Sequence, residues 1–278
     1  MTVHEFAAAK VNLFLHVLGR RADGYHDLDS LVVFAEVGDA VELSQNDTHR
    51  LTVDGPFAQD VPIDSSNLAS RAVAALGDAL GRGDGVHVHL TKNLPVAAGL
   101  GGGSADAAAV LRGLARLWET GPSMAFPAVA QALGADVPVC LRSRAAQMSG
   151  IGDVVMPVDF DAPLALVLVN CGAAVATGRV FAQTHRYGAA AAPLGERTIQ
   201  SWVQGQRNDL EAAAIALVPE IAQSIEFLEQ QPGCTVGRMS GSGATCFGLF
   251  ESMPTAESAA AAIRAVRPTW WVVAASAS

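Results

Sequence analysis

Lysine occurs at only two positions in this chain, Lys10 and Lys92, while sixteen of its eighteen basic residues are arginine. An ammonium is a compact point charge and a guanidinium a planar fork. Two lysines kept in so arginine-rich a chain point to positions that need the compact cation. A second feature is the stretch NLPVAAGLGGGSADAAAVL, residues 93–111, in which four glycines fall within the five positions from Gly99 to Gly103. Glycine loses more backbone entropy on ordering than any other residue. A glycine loop running into a helix start suits an anion, because its unpaired amides and the helix dipole both favour negative charge. Two common forms of such a site do not fit. The Walker pattern needs a lysine after its last glycine, where this chain has Ser104. The dinucleotide fingerprint beginning at Gly99 and Gly101 calls for glycine at 104, and Glu119, near its acidic spacing, follows a helix and not a second strand.

Other reactive residues stand in recognisable local settings. Asp136, two residues before Pro138 and after Gly134, has the position of a helix N-cap, as does Asn67 in SSNLASRA. His87 and His89 in GVHVHL share one strand face opposite Val86, Val88 and Leu90, and without a third ligand they read as an exposed face and not a metal site. Tyr25, one of two tyrosines, lies in the turn ADGYH, where core packing is an improbable use. The four cysteines are scattered without a C-x-x-C pair, which fits reduced thiols.

These residues need elements to carry them. KVNLFLHVLG and SLVVFAEVGDAVELS flank the Asp23-Gly24 turn and predict a pair of strands. RLTVDG and GVHVHLT predict two more, with a helix between them that starts near Asn67 and stops at Gly81. Helices are expected over SADAAAVLRGLARLW and AFPAVAQALG, then strand, turn and strand over AQMSGIGDVVMPVD. LALVLVN opens a second half with helices DLEAAAIALV and EIAQSIEFLEQ, a strand pair around MSGSG, the helix TAESAAAAIRAV and a last strand TWWVVAAS. Strands and helices mix without regular β-α alternation, so an α+β fold with a boundary near residue 150 is expected. HRYGAAAAPLGERT, residues 185–198, reads as a surface loop.

Half of the 278 residues are hydrophobic and 16% are charged, a globular balance. A net charge of −9 argues against nucleic acid or an anionic membrane as partner. The opening residues show no secretory pattern, and a cytoplasmic protein is expected.

Residues 94–107 carry the pattern L-P-x-x-x-G-L-G-G-G-S-x-x-A, far more specific than glycine richness, and closely resemble the phosphate loop of the GHMP kinases. AAAKVNLFL places Lys10 and Asn12 in that family's opening frame, with Ala8 where proline is usual. RMSGSGATCFGLF resembles its third glycine motif. The resemblance implies a two-domain α+β fold, with an N-terminal ribosomal-protein-S5-like domain over residues 1–150 and a C-terminal ferredoxin-like domain over residues 151–278. It implies a kinase that uses ATP and Mg2+. Pro95, Val96, Ala97, Ala98, Gly99, Leu100, Gly101, Gly102, Gly103, Ser104 and Ala105 would wrap the phosphates, with Asn67, Leu68 and Lys92 on the adenine side. Ser104 is a metal ligand by analogy only.

On the same resemblance Asp136 is the base toward the acceptor hydroxyl, and Lys10 is expected beside it. GRRADGYHDLDSL, followed by LGADVPVCL and GIGDVVMPV, resembles the branch whose small-molecule acceptor is a cytidine diphosphate conjugate. Tyr25 and Phe181 would sandwich the cytosine, His26 would read its edge, and Asn12 would lie near the hydroxyl or phosphate. A homoserine- or mevalonate-type kinase would share the glycine loop but has no use for ADGYH. A nicotinamide-dependent oxidoreductase is disfavoured by the failed fingerprint, and a nucleotide sensor by the presence of both Lys10 and Asp136. A monomer or homodimer without nucleic-acid or membrane partners is expected.

Overall fold

The structure, a computed structural model, describes the chain apart from residues 122–124, 161 and 186. It forms two compact units. The first holds Met1–Ala9, Val37–Val96 and Gly101–Ser143, and the second Lys10–Glu36, Ala97–Leu100 and Arg144–Ser278. The last crossing between the units falls at 143/144, and the second unit also takes residues from before it. The earlier crossings fall inside two strands and the glycine loop, where nothing in the composition changes.

Two long strands supply both units: β1 (Thr2–Arg20) and β2 (His26–Gln45), which pair with each other. The turn between them closes where the Arg21 N–H donates to the Tyr25 carbonyl at 2.8 Å. In the first unit the sheet continues through β3 (Arg50–Asp54) and β4 (Val86–Thr91), with β4 antiparallel to β2 and parallel to β3. Four helices pack on one another: α1 (Leu68–Leu80), α2 (Gly102–Leu117), α3 (Ala125–Leu133) and α4 (Val137–Arg142). Arg112 and Arg116 of α2 both bond the Glu5 carboxylate, each at 2.9 Å, and so tie the helix to the start of β1.

β4 alternates buried and half-buried residues, as its pattern predicts. Its two histidines share the Thr52 hydroxyl, at 2.8 Å from His87 Nε2 and 3.0 Å from His89 Nδ1. Among the described residues no group of three or more His, Cys, Asp or Glu side chains is placed to hold a metal.

In the second unit β2 pairs with β5 (Ala146–Gly150), which pairs with β6 (Val154–Pro157). β2 also meets β10 (Trp271–Ala277) through Ala35 and Ala277. The sheet continues through β7 (Leu164–Asn170), β9 (Cys246–Phe250) and β8 (Cys234–Met239). The helices are α5 (Thr177–Gln183), α6 (Ile199–Gln204), α7 (Glu211–Leu217), α8 (Glu220–Glu229) and α9 (Met253–Val266). Val167 and Val169 of β7 are wholly buried in one cluster with Ile221, Leu228, Ala260 and Ile263. α4 begins where Asp136 and Pro138 place a helix start, whereas the short helices α5 and α6 were not expected from the sequence, because six or seven residues show little more than one turn of periodicity. All four cysteines are free thiols, and no described helix is long and apolar enough to cross a membrane.

Gly38 marks a close approach of β1 and β2, since a Cβ there would strike the Ala7 carbonyl and the Phe6 ring. Gly38→Ala should therefore cost about 1–3 kcal/mol of stability as an overpacked site. Urea unfolding checks this, and a neutral result would mean that the strands separate freely at this point.

Candidate active site

In the first unit the site is organised around a buried charge cluster. Lys92, 3% exposed, sets its ammonium 2.5 Å from Asp39 Oδ2 and 2.7 Å from Asp106 Oδ2. The other Asp39 oxygen accepts the backbone N–H groups of Asn93 at 2.6 Å and Leu94 at 2.8 Å, just ahead of the glycine loop. Burial works to lower the Lys92 pKa, but the charges of Asp106 and Asp39 and their hydrogen bonds outweigh it and leave it raised. Burial pushes the Asp106 carboxyl up to about 7; Lys92 opposes this, while the like charge of Asp39 reinforces it. Two carboxylates sharing one ammonium cannot both ionise cheaply away from water.

The cluster lies against the first turn of α2. Lys92 Nζ is 3.1 Å from the point where Gly102 would carry a Cβ, so a side chain there would crowd the ammonium. Gly101 takes the left-handed N-cap conformation at φ 63°. Its carbonyl accepts the first intrahelical bond, from the Ala105 N–H at 2.8 Å. The amides of Gly102, Gly103 and Ser104 precede that first bond and carry the positive end of the helix dipole. Leu68 packs 3.6 Å from the Gly103 Cβ position. Asn67 is spent on capping α1: its Oδ1 accepts from the Ala69 N–H and its Nδ2 donates to the Pro62 carbonyl, both at 2.8 Å. Asp136 is half-buried at the N-cap position of α4 but makes no capping hydrogen bond, so its expected capping role is not used.

The second unit holds residues 97–100 of the loop and the third glycine motif between β8 and β9. Ser240 Oγ donates to the Gly99 carbonyl at 2.9 Å, and the Thr245 N–H to the Ala98 carbonyl at 3.0 Å. Gly99 has φ +76°, and a Cβ there would strike the Ser240 carbonyl. Ser240 Oγ also accepts the Asn12 N–H at 3.1 Å. The Asn12 side chain is buried, donates to Ser30 Oγ at 2.8 Å, and keeps its Oδ1 without a hydrogen-bond partner. Lys10 is 4% exposed, with its backbone N–H on the Leu100 carbonyl at 2.9 Å.

Tyr25 is 62% exposed. The His26 imidazole stacks on Phe181 with ring centroids 5.0 Å apart and an interplanar angle of 28°. Burial first, and then the Arg20 charge, lower the His26 pKa and favour the neutral ring. Phe181 is half-buried against the core of the unit, so it both packs and offers a ring to His26.

Within the first unit, then, Lys92, Leu68 and residues 101–105 gather at the start of α2. Within the second, Asn12 is joined to residues 98–99 through Ser240, while His26 and Phe181 form a separate aromatic pair beside Tyr25. Asp39 was missed by sequence reasoning. Its signal is a charge set inside the apolar run Phe34–Val41, which a solvated strand face does not require. Asp106 lies at the start of the helix expected over SADAAAVLRGLARLW, and its partner Lys92 is 14 positions away.

Residues 67–155 match the family described as the GHMP kinases N terminal domain, and residues 190–269 its C terminal counterpart. The chain belongs to the GHMP kinases and is a small-molecule kinase. The 4-diphosphocytidyl-2-C-methyl-D-erythritol kinase of Cereibacter sphaeroides (strain ATCC 17029 / ATH 2.4.9) is 50% identical over 274 residues, covering 96% of each chain. That of Parvibaculum lavamentivorans is 46% identical over 279 residues, covering 97% of this chain and 96% of its own. A crystal structure of 4-(cytidine 5'-diphospho)-2C-methyl-D-erythritol kinase superposes with a TM-score of 0.83 at 34% identity, over 99% of this chain and 98% of that one. A homoserine kinase from Cytophaga hutchinsonii shares the fold alone, at 19% identity, with a TM-score of 0.77 over 99% of this chain and 94% of that one.

Removing one partner from a buried ion cluster leaves uncompensated charge, so Lys92→Met should cost about 3–5 kcal/mol in urea unfolding. Asp106 adds a pH signature. Its folded carboxyl titrates near 7 against 3.8 for the ordinary group, so its contribution is full below pH 3.8 and is lost as pH rises to about 7. Asp106→Asn has no such titration. The stability of the wild type relative to that variant should therefore fall between those values, and a constant difference would mean that Asp106 stays ionised throughout.

Proposed function

We infer that this chain transfers the γ-phosphoryl group of ATP to the 2-hydroxyl of 4-diphosphocytidyl-2-C-methyl-D-erythritol, in the non-mevalonate isoprenoid pathway. The observation that carries this reading is the close likeness, across nearly the whole chain, to kinases named for that substrate. The exposed Tyr25 beside the His26–Phe181 stack supports it, because a pyrimidine needs ring faces and a polar edge reader. An acceptor without a base has no use for such a group of aromatics.

Phosphoryl transfer through a loose transition state asks the protein mainly for alignment and charge stabilisation. The open amides at the start of α2 hold phosphate oxygens, and Leu68 offers an apolar face on the nucleotide side. Asn67 and Lys92 act by fixing the starts of α1 and α2. Lys10 places an ammonium for the charge on the transferring group, and Asp136 takes the hydroxyl proton late in the transfer. The partnerless Oδ1 of the buried Asn12 is an acceptor suited to a donor on the acceptor substrate. A neutral His26 has one donor and one acceptor nitrogen for the cytosine edge.

Mg2+ fits as a passenger of the nucleotide. It usually binds through one or two protein ligands with substrate phosphates and water, and here Ser104 offers a hydroxyl where no carboxylate cage exists among the described residues. When bound, it supplies charge neutralisation on the β- and γ-phosphates.

ADP release with Mg-ATP should appear with the cytidyl substrate and not with mevalonate or homoserine, and phosphorus NMR should show a new phosphomonoester. Turnover of another acceptor in its place would discard the substrate assignment. Asp136→Asn should lower kcat by roughly 100-fold or more, the usual scale of general-base loss, with ATP binding retained. Tyr25→Ala should mainly raise the KM of the cytidyl substrate, by roughly tenfold. Lys10→Arg tests the need for a compact cation, and full activity in that variant would remove it.

A further inference from the structure

The chain has two tyrosines, and neither is used to fill a core. Tyr25 is 62% exposed and Tyr187 47% exposed. The Tyr187 ring lies 6.2 Å from the His26 imidazole, on which Phe181 stacks, and Tyr25 is the residue before His26 in the β1–β2 turn. A large ring left in water beside a half-buried histidine is a poor use of aromatic surface unless something flat meets it.

Tyr187 does not sit on a slack loop. The Gly188 N–H donates to the Val17 carbonyl of β1 at 3.0 Å. The Ala191 N–H donates to Asp29 Oδ2 at 2.6 Å, while Asp29 Oδ1 accepts from Gln147 Nε2 at 2.7 Å. Asp29 is 3% exposed, so this latch is anchored inside the unit. Trp202 Nε1 donates to the Ala192 carbonyl at 2.8 Å, and Arg207 reaches the Ala189 carbonyl at 3.4 Å. Gly188 makes room for that guanidinium, since a Cβ would fall on it. Tyr187, Gly188 and Ala189 also line a cleft of about 650 Å³ with Arg207 and Asp209. Residues 187–192 are thus a strap fastened by backbone bonds that ask nothing of the alanine side chains. The one large apolar ring the strap presents is Tyr187.

We propose that Tyr187 is a further specificity-determining residue for the pyrimidine of the acceptor substrate, a third aromatic wall held beside His26 by the 187–192 strap. The proposal rests on the cytidyl-substrate reading above. A base entering beside His26 with Tyr25 and Phe181 on its two faces meets the tilted Tyr187 ring at its edge. Because the strap is fastened before the ligand arrives, little ordering entropy opposes that contact.

The test is calorimetric binding of CDP to the wild type and to Tyr187→Ala, Tyr187→Phe and Trp202→Phe, with steady-state kinetics alongside. Tyr187→Ala should weaken CDP and raise the KM of the cytidyl substrate by roughly threefold to tenfold, the scale of one edge-to-face aromatic contact. Its kcat and its KM for ATP should stay within about twofold, because no transition-state contact is lost. Tyr187→Phe keeps the ring and should bind CDP like the wild type. Trp202→Phe keeps a ring in the core but loses the donor to Ala192, so it should weaken CDP in the same direction. Combined with Tyr187→Ala it should add little, because both changes remove one contact. Wild-type CDP affinity in Tyr187→Ala overturns the proposal while leaving the substrate reading intact. Equal weakening in Tyr187→Phe overturns the role of the ring and assigns the effect to the hydroxyl. A wild type that binds no CDP overturns the substrate reading itself, and the third wall with it.

Discussion

One ammonium held between two carboxylates sets the geometry of the first unit. Lys92 is buried with Asp39 and Asp106, and each member belongs to a different stretch of chain: β2, the end of β4 and the first turns of α2. Separating any of them would leave a charge in a low-dielectric interior, a cost of several kcal/mol. The cluster therefore acts as a fixed point. Asp39 also takes the amides of Asn93 and Leu94, which decides how the chain enters the glycine loop. A side chain at Gly102, in the first turn of α2, would crowd the same ammonium. With the Asp106 carboxyl raised to about 7, the cluster approaches neutrality as pH falls below that value and gains a negative charge as pH rises above it.

The second unit fixes its glycine motif with hydroxyl, amide and guanidinium donors. Ser240 joins the Gly99 carbonyl and the Asn12 amide through one hydroxyl. Asn208 Nδ2 holds the carbonyls of Met239 and Gly241, both at 2.8 Å. Arg238 crosses from β8 to the Leu13 carbonyl at 2.7 Å. Backbone that follows no regular ladder is thus satisfied by side chains, as buried irregular chain must be. The rigidity of that turn is a matter of complete hydrogen bonding and not of apolar packing alone.

In the reading proposed above, phosphate and base call for different materials. Main-chain N–H groups, such as the glycine motifs present, suit any phosphate and carry no information about the acceptor. Ring faces and a neutral imidazole edge, such as those of Phe181 and His26, suit a flat heterocycle with matching donors and acceptors. A homoserine kinase shares the fold at 19% identity. On the proposed reading, the turn before β2, α5 and the strap carry the specificity.

The sequence by itself determined a good deal here. Alternation in GVHVHL, the turn chemistry of Asp23-Gly24, the cap at Asn67 and the stop at Gly81 each act over a few residues, and the corresponding elements are where those signals put them. The glycine loop runs into a helix start where the sequence put one, because that step needs no distant partner. Long-range pairing was beyond it. Lys92 was visible as an unusual lysine, but its partners lie 53 and 14 positions away, and no local pattern encodes that distance. Residues 185–198 read as a surface loop because alanine, glycine and proline carry no periodicity. Outside Arg186, which is not among the described residues, only the folded chain brings Asp29, Trp202 and Val17 to its backbone. Local conformational preference is written residue by residue. Which charges neutralise one another, and which strap a buried carboxylate latches, depends on contacts that exist only after the chain has closed on itself.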